Sequence, residues 1–228
     1  IGKLKIDSAR ERIKKFNPNS ELLTFAERIN PNNVLEIIQK FDVICDCSDN
    51  FGTRYLINDA CLIMNKPLIF GSVQGFEGQV SVFNLNKKSP NLRDLLPESP
   101  SKNDIPSCAE YGVVGVATGL IGILQVNEII KIILKKGEIL DGKILIFDLL
   151  NMNMKKLHLK SDEINKRIKN LSQFVDFYND DDCSEKKNKI KRINANDFNS
   201  IYKAKPNKIL LIDVRENEEF STSAIEGS

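Results

Sequence analysis

Apolar positions along this chain recur with two different periods, and their order predicts most of its elements. Ile6, Ala9, Ile13 and Phe16 have helical spacing, and Asn17-Pro18-Asn19 stops that helix. Leu22 to Phe25 is a brief strand candidate. Val34, Ile37, Ile38 and Phe41 mark a second helix, which feeds directly into a short apolar run, Val43 to Cys47. A third helix is expected from about Arg54 to Met64, ending before Lys66-Pro67, and a strand follows at Leu68 to Val73. Strand–helix–strand alternation of this kind implies a mostly parallel sheet covered by helices on both faces. The pattern then changes. Gln79 to Phe83 alternates like a half-exposed strand, and Lys143 to Leu149 and Lys155 to Leu159 resemble two more, so antiparallel strands are expected toward the C-terminal part of the domain.

Between these strands lie a polar loop, 84–111, and a long uncharged stretch from Tyr111 to Asn127. A loop of that length inside a compact domain points to a functional segment or a disordered one. The uncharged stretch is at or below the shortest membrane span, contains Gln125 and runs into Glu128 and Lys131, so a buried helix at the centre of a domain is the better reading. Gly112, Gly115, Gly119 and Gly122 fall along one stripe of it; helix packing is the expected reason for Gly119 and Gly122. From Ser161 a charged helix-like segment leads into a linker around Asn179 to Lys189, and Lys208 to Val214 begins a fresh strand.

Composition narrows the class without naming a function. Apolar residues make up 41% and charged residues 28%, as in ordinary soluble globular proteins, and a net charge of +2 makes no case for nucleic acid. Five cysteines at irregular spacing, without a signal peptide, fit a reducing, cytoplasmic compartment rather than a disulfide framework. The chain starts at Ile1 and stops at Ser228 shortly after a strand-like run, so both ends read as cut.

The apolar run at 43–47 stops at Ser48-Asp49-Asn50, with Arg54 one turn later. A buried strand whose carboxyl end carries an acid, an amide and an arginine is where open α/β sheets place ligands. Such a set can hold a metal-bound polyphosphate, with the carboxylate toward Mg²⁺ and the guanidinium toward phosphate. Equally, Asp49 or Asn50 can simply cap the next helix. Cys108 precedes the glycine-striped helix, where a helix amino terminus stabilises a thiolate nucleophile; a small buried hydrophobe is the plainer role. Cys45, Cys47 and Cys61 read as core residues. No C-x-x-C occurs and the single histidine, His158, sits among lysines, so no zinc site is expected. A G-x-G-x-x-G loop is missing as well.

Several segments, in order, resemble the ubiquitin-activating-type adenylyltransferases of the MoeB/ThiF/HesA group. They are Gly2 to Ala9, Val43 to Asn58, Gly71 to Val80, Asn91 to Glu98 and Pro106 to Gly115, continuing to Gln125 and Glu128. The likeness covers about 1–160 and implies a Rossmann-like sheet. Leu211 to Phe220 with Ile225 to Ser228 is similar to the opening of a rhodanese domain. The layout therefore resembles fused molybdopterin-synthase adenylyltransferase/sulfurtransferases: an adenylyltransferase domain at 1–160, a helix and linker at 161–190, and the start of a rhodanese-like α/β domain at 191–228.

The resemblance implies ATP-dependent adenylation of the C-terminal glycine of a small ubiquitin-like sulfur carrier ending in Gly-Gly, then sulfur transfer to form a thiocarboxylate. Lys5 would neutralise phosphate charge, Asp49 would hold Mg²⁺ or orient the phosphates, and Asn50 would sit beside the nucleotide. Arg54 would face the nucleotide or instead pair with a carboxylate to fix its helix. For Lys5 the plain alternative is a solvated helix-start lysine. Cys108 matches the cysteine that takes the activated glycine or a sulfur, with a rhodanese persulfide as donor. A homodimer is implied, and neither nucleic acid nor a membrane. Asn91 and Asp94 stand where zinc-bearing relatives have a C-x-x-C. The competing classes are an NAD-dependent oxidoreductase, an enzyme that adenylates a tRNA base, and a non-catalytic partner that keeps the fold.

Overall fold

The computed structural model describes residues 2–98 and 112–178, together with Phe198 and Tyr202. Cys108, Cys183, and the rhodanese-like stretch apart from Phe198 and Tyr202 lie outside the described residues. The chain divides into two units, Ile1–Asp180 and Asp181–Ser228, and the sheet with its helices belongs to the first.

Five strands form one sheet in the order β1-β2-β3-β4-β5. β1 (Ile44–Asp46) and β2 (Leu68–Gln74) are parallel, with Ile44 opposite Leu68 and Asp46 opposite Phe70. β3 (Glu77–Phe83), β4 (Lys143–Asp148) and β5 (Asn153–His158) continue antiparallel, the arrangement expected from the alternation after Gln79. Helices ahead of the sheet are α1 (Lys5–Phe16), which buries no residue, and the short α2 (Val34–Ile38). α3 (Phe51–Met64) makes the crossover between β1 and β2 and starts at Phe51 rather than Arg54, because Asn50 caps it. It ends at Asn65, which takes a left-handed φ of 52° that asparagine tolerates well, just before Pro67.

Alternation along β2 splits the core in two. Leu68 and Phe70 point to one face, where Phe83, Leu92 and the buried side of α3 (Tyr55, Leu56, Ala60, Cys61) meet Val34 and Ile38 of α2. Within the polar loop that follows β3, Leu92–Leu95 forms a one-turn helix, α4. Ile69 points to the other face and packs with Val80, Val82 and Ile121, the last on α5 (Gly115–Leu134). Each such large side chain contributes about 1.5–3 kcal/mol through burial. α5 lies close to the sheet because β2 and β3 carry glycine beneath it. A Cβ on Gly71 would collide with the Gln125 side chain, and one on Gly78 with Ile121.

The outer side of α5 corrects an expectation. A Cβ at Gly115, Gly119 or Gly122 would meet nothing within 4 Å, so packing inside the described residues does not explain the stripe. The helix is not buried all round. Ala117, Ile121, Gln125 and Glu128 face the sheet, while Val116, Ile123, Val126, Ile130 and Ile133 are exposed. By length and composition it could cross a membrane. Its buried polar groups are matched to the sheet side instead, since Glu128 accepts the Leu140 backbone N–H at 3.0 Å and pairs with Lys131.

Two further sequence expectations change. Leu22 to Phe25 forms no strand. The segment after Ser161 is not one helix but two single-turn 3₁₀ helices, Ile164–Lys166 and Leu171–Phe174, followed by a short helix at Val175–Tyr178. A buried ion pair ties these parts to α3 and α4: the Asp59 carboxylate on α3 receives Arg93 Nη2 at 2.6 Å and Nε at 3.1 Å, with the Tyr178 hydroxyl at 2.6 Å.

Candidate functional site at the carboxyl end of the first strand

β1 delivers its last residue, Asp46, into the interior, where only 1% of it is exposed. One carboxylate oxygen accepts both the Ser48 backbone N–H (2.8 Å) and the Ser48 hydroxyl (2.7 Å). From the α5 side, Gln125 donates to the Asp46 carbonyl at 2.8 Å, and Gly71 leaves the room that Gln125 needs. The strand end is therefore clamped before the loop begins. Burial pushes the Asp46 carboxyl above its ordinary value, and the Ser48 hydrogen bonds and the Arg54 charge partly oppose this.

That shift has a testable consequence. Folding favours the protonated Asp46, so the folded state binds more protons than the unfolded one above the ordinary carboxylate value. Its contribution is largest at low pH and is lost as pH rises through the raised value. Asp46→Asn keeps an oxygen for Ser48 and removes the buried charge. Thermal melts are expected to show this variant at or above the parent at neutral pH, with the advantage vanishing in acid. A clearly lower melting temperature at neutral pH would contradict this.

The cap reading of Asp49-Asn50 falls to one of the two residues. Asn50 is the cap: its side-chain oxygen accepts the Thr53 backbone N–H at 2.8 Å. Asp49 is exposed, and its hydrogen-bond contact among the described residues is Asn50 Nδ2 at a long 3.4 Å. Arg54 is only 6% exposed. Its Nη1 donates to Ser72 Oγ (2.8 Å) and Nη2 to the Ser48 carbonyl (3.0 Å), and the guanidinium lies 5.6 Å from the Phe51 ring centre and 5.5 Å from that of Phe70. Among the described residues no carboxylate pairs with it directly. Arg54 thus holds the 48–50 turn against α3 and β2, and its Nε has no hydrogen-bond partner among the described residues. Lys5 opens α1 on the surface; no hydrogen bond or ion pair joins it to Asp49, Asn50 or Arg54 among the described residues.

Asp46, Ser48 and Ser72 escape the sequence reading as site residues. The one available signal is the position of Asp46 as a polar residue inside an apolar run. Cys45 and Cys47, expected in the core, are exposed. Their sulfurs lie 3.9 Å apart, and hydrogen bonding from Cys45 pulls the Cys47 thiol down to about 7 while the Cys45 thiol is pushed up. Among the described residues no group of three or more His, Cys, Asp or Glu could hold a metal ion. A divalent ion at Asp49 would need most of its oxygen ligands from phosphates and water, which is how Mg²⁺ binds when it arrives with a nucleotide.

The family model described as the ThiF family matches residues 1–168. The chain belongs to the ThiF family. Curated relatives of this ThiF chain include the adenylyltransferase and sulfurtransferase MOCS3 of Drosophila grimshawi, 33% identical over 96% of this chain and 51% of its own length. The probable molybdopterin-synthase adenylyltransferase of Gracilaria tenuistipitata var. liui is 36% identical over 96% of this chain and 58% of its own. The probable adenylyltransferase/sulfurtransferase MoeZ of Mycobacterium tuberculosis is 34% identical over 100% of this chain and 59% of its own. The ThiF chain therefore spans a little over half the length of these relatives. Among solved structures, E. coli MccB with ATP superposes with a TM-score of 0.62 at 17% identity, covering 72% of this chain and 51% of that one. This likeness establishes the Rossmann-like fold.

Proposed function

We propose that the protein uses MgATP to adenylate the C-terminal glycine of a small ubiquitin-like sulfur carrier and then takes part in forming the carrier thiocarboxylate. One observation carries the reading. In a ThiF-family chain, Asp49 presents an exposed carboxylate, with one long contact to Asn50 among the described residues, at the carboxyl end of a parallel strand and immediately before a capped helix. The carrier carboxylate oxygen attacks the α-phosphorus of ATP, the bond from that phosphorus to the bridging oxygen breaks, and pyrophosphate leaves. Such a reaction needs alignment and charge neutralisation more than proton transfer. Asp49 orients the Mg²⁺-bound phosphates, and Lys5 and the amino end of α3 offset their charge. Asn50 and Arg54 act mainly by fixing the turn that aims Asp49. The names of the relatives support this substrate class, and those naming both activities support a sulfurtransferase unit after the linker.

Two copies of the chain pair in this reading. The outer face of α5 has Val116, Ile123, Val126 and Ile130 exposed, and no described side chain covers Gly115, Gly119 and Gly122; both features support a second copy as its cover. ATP labelled at the α-phosphorus tests the first step: label is expected on a carrier ending in Gly-Gly and absent when that terminus is amidated. Equal labelling of both would overturn the substrate assignment. Cys108→Ala is expected to keep carrier adenylation and reduce thiocarboxylate formation to background. Normal sulfur transfer by that variant would remove Cys108 from the mechanism.

A further inference from the structure

Asp94 lies at the centre of a polar cluster that joins two segments far apart in sequence. Its Oδ2 accepts the Asn91 backbone N–H at 2.8 Å and the Asn91 side-chain amide at 3.1 Å, which closes the capping box of α4. Its Oδ1 accepts the Asp162 backbone N–H at 2.8 Å and the Asn165 side-chain amide at 2.9 Å. Asn165 reaches further, to the Arg93 carbonyl at 3.4 Å, and Asn91 Nδ2 approaches the Asn165 carbonyl at 3.5 Å. Asn91 is fully buried. The spacing is symmetric: Asn91-x-x-Asp94 on one segment faces Asp162-x-x-Asn165 on the other.

Paired x₂ spacings on two distant segments are the usual frame of a structural zinc site, but the donor chemistry here does not fit one. A carboxylate offers about four lone-pair positions, and Asp94 already has four N–H donors on them. The two amide nitrogens that point inward are donors and cannot ligate a cation. A metal would have to break those bonds and strand the amides.

We propose that this cluster is a metal-free clasp: Asp94 cross-links α4 to the 162–165 turn by hydrogen bonds in the place where a zinc ion would otherwise tie the two segments. The clasp seats the segment that runs on to Tyr178, whose hydroxyl completes the Asp59–Arg93 pair. Lys166 adds a contact from the same turn, donating to the Lys87 carbonyl at 2.7 Å.

The test uses the 228-residue chain expressed with added zinc. Elemental analysis is expected to find well below about one zinc per ten chains, and a chelator is expected to leave the melting temperature unchanged. Asp94→Ala is expected to lower the melting temperature by about 5 °C or more and to speed tryptic cleavage within 160–169 at least about tenfold. Should Asp94→Ala fail to fold, Asn165→Ala removes one donor and is expected to speed the same cleavage about threefold. Stoichiometric zinc, a chelator-dependent loss of stability, or cleavage unchanged in the folded variant would each overturn the clasp.

Discussion

Replacing Asp49 with alanine is expected to lower ATP–pyrophosphate exchange by about 10²–10³-fold and to leave the melting temperature nearly unchanged. The split follows from how the turn after β1 divides its work. Asp46 is used by Ser48, Asn50 by Thr53, and the Arg54 fork by Ser48 and Ser72. Asp49 is left out of that scaffold, exposed, with a single long contact to Asn50 among the described residues. Removing a solvated carboxylate costs the fold within about 0.5 kcal/mol. In the proposed role, removing it would cost the transition state the carboxylate that holds the metal on the phosphates. Asp49→Asn should fall nearly as far, because the amide keeps the shape and loses the charge. Exchange within about twofold of the parent in both variants would show Asp49 to be an ordinary surface residue.

The largest loss of stability is expected from Asp59→Ala, at about 3–5 kcal/mol. Asp59 is fully buried and Arg93 is 3% exposed. The carboxylate takes two bonds from Arg93, one from Tyr178, and one from Asn58 Nδ2 at 3.0 Å. Without it, the buried Arg93 loses both of its bonds to the carboxylate, beside the Tyr55 ring 5.0 Å away. α3, α4 and the 175–178 helix lose their common anchor together. Replacing both partners with apolar residues removes both buried charges together, so Asp59→Leu with Arg93→Met should lose clearly less than Asp59→Ala alone. Urea unfolding of the three proteins measures the difference. A single variant within about 1 kcal/mol of the parent would contradict the network.

Periodicity makes the helices and the longer strands legible because each buries one face against the core. Leu22 to Phe25 shows the limit of that signal: a strand needs a neighbour to bond to, and a four-residue run rich in apolar groups does not specify one. The same logic places Cys45 and Cys47 inside, and fails for the same kind of reason. Alternation reports which residues share a face but not whether anything covers it.

At the candidate site, local chemistry singles out the turn after β1 and does not separate its members. Asp46 and Asp49 lie three residues apart at the end of one apolar run. Which of them is buried depends on Gln125, 79 positions away, and on Ser72 and Arg54 behind the turn. Asn50 can be read as a cap or a ligand from sequence, and the Thr53 hydrogen bond decides that it caps. The Asn91–Asp94 clasp is visible in sequence only as a departure from a cysteine pattern, since its partners at 162 and 165 come from a segment whose composition suggests a helix.

Carrier-dependent ATP–pyrophosphate exchange by the native protein tests the central claim most directly. With a carrier ending in Gly-Gly and MgATP present, labelled pyrophosphate is expected to enter ATP, and to stop entering it when the carrier is omitted or its terminal carboxylate is amidated. Exchange that proceeds equally without the carrier, or none with any Gly-Gly carrier offered, would contradict the assignment.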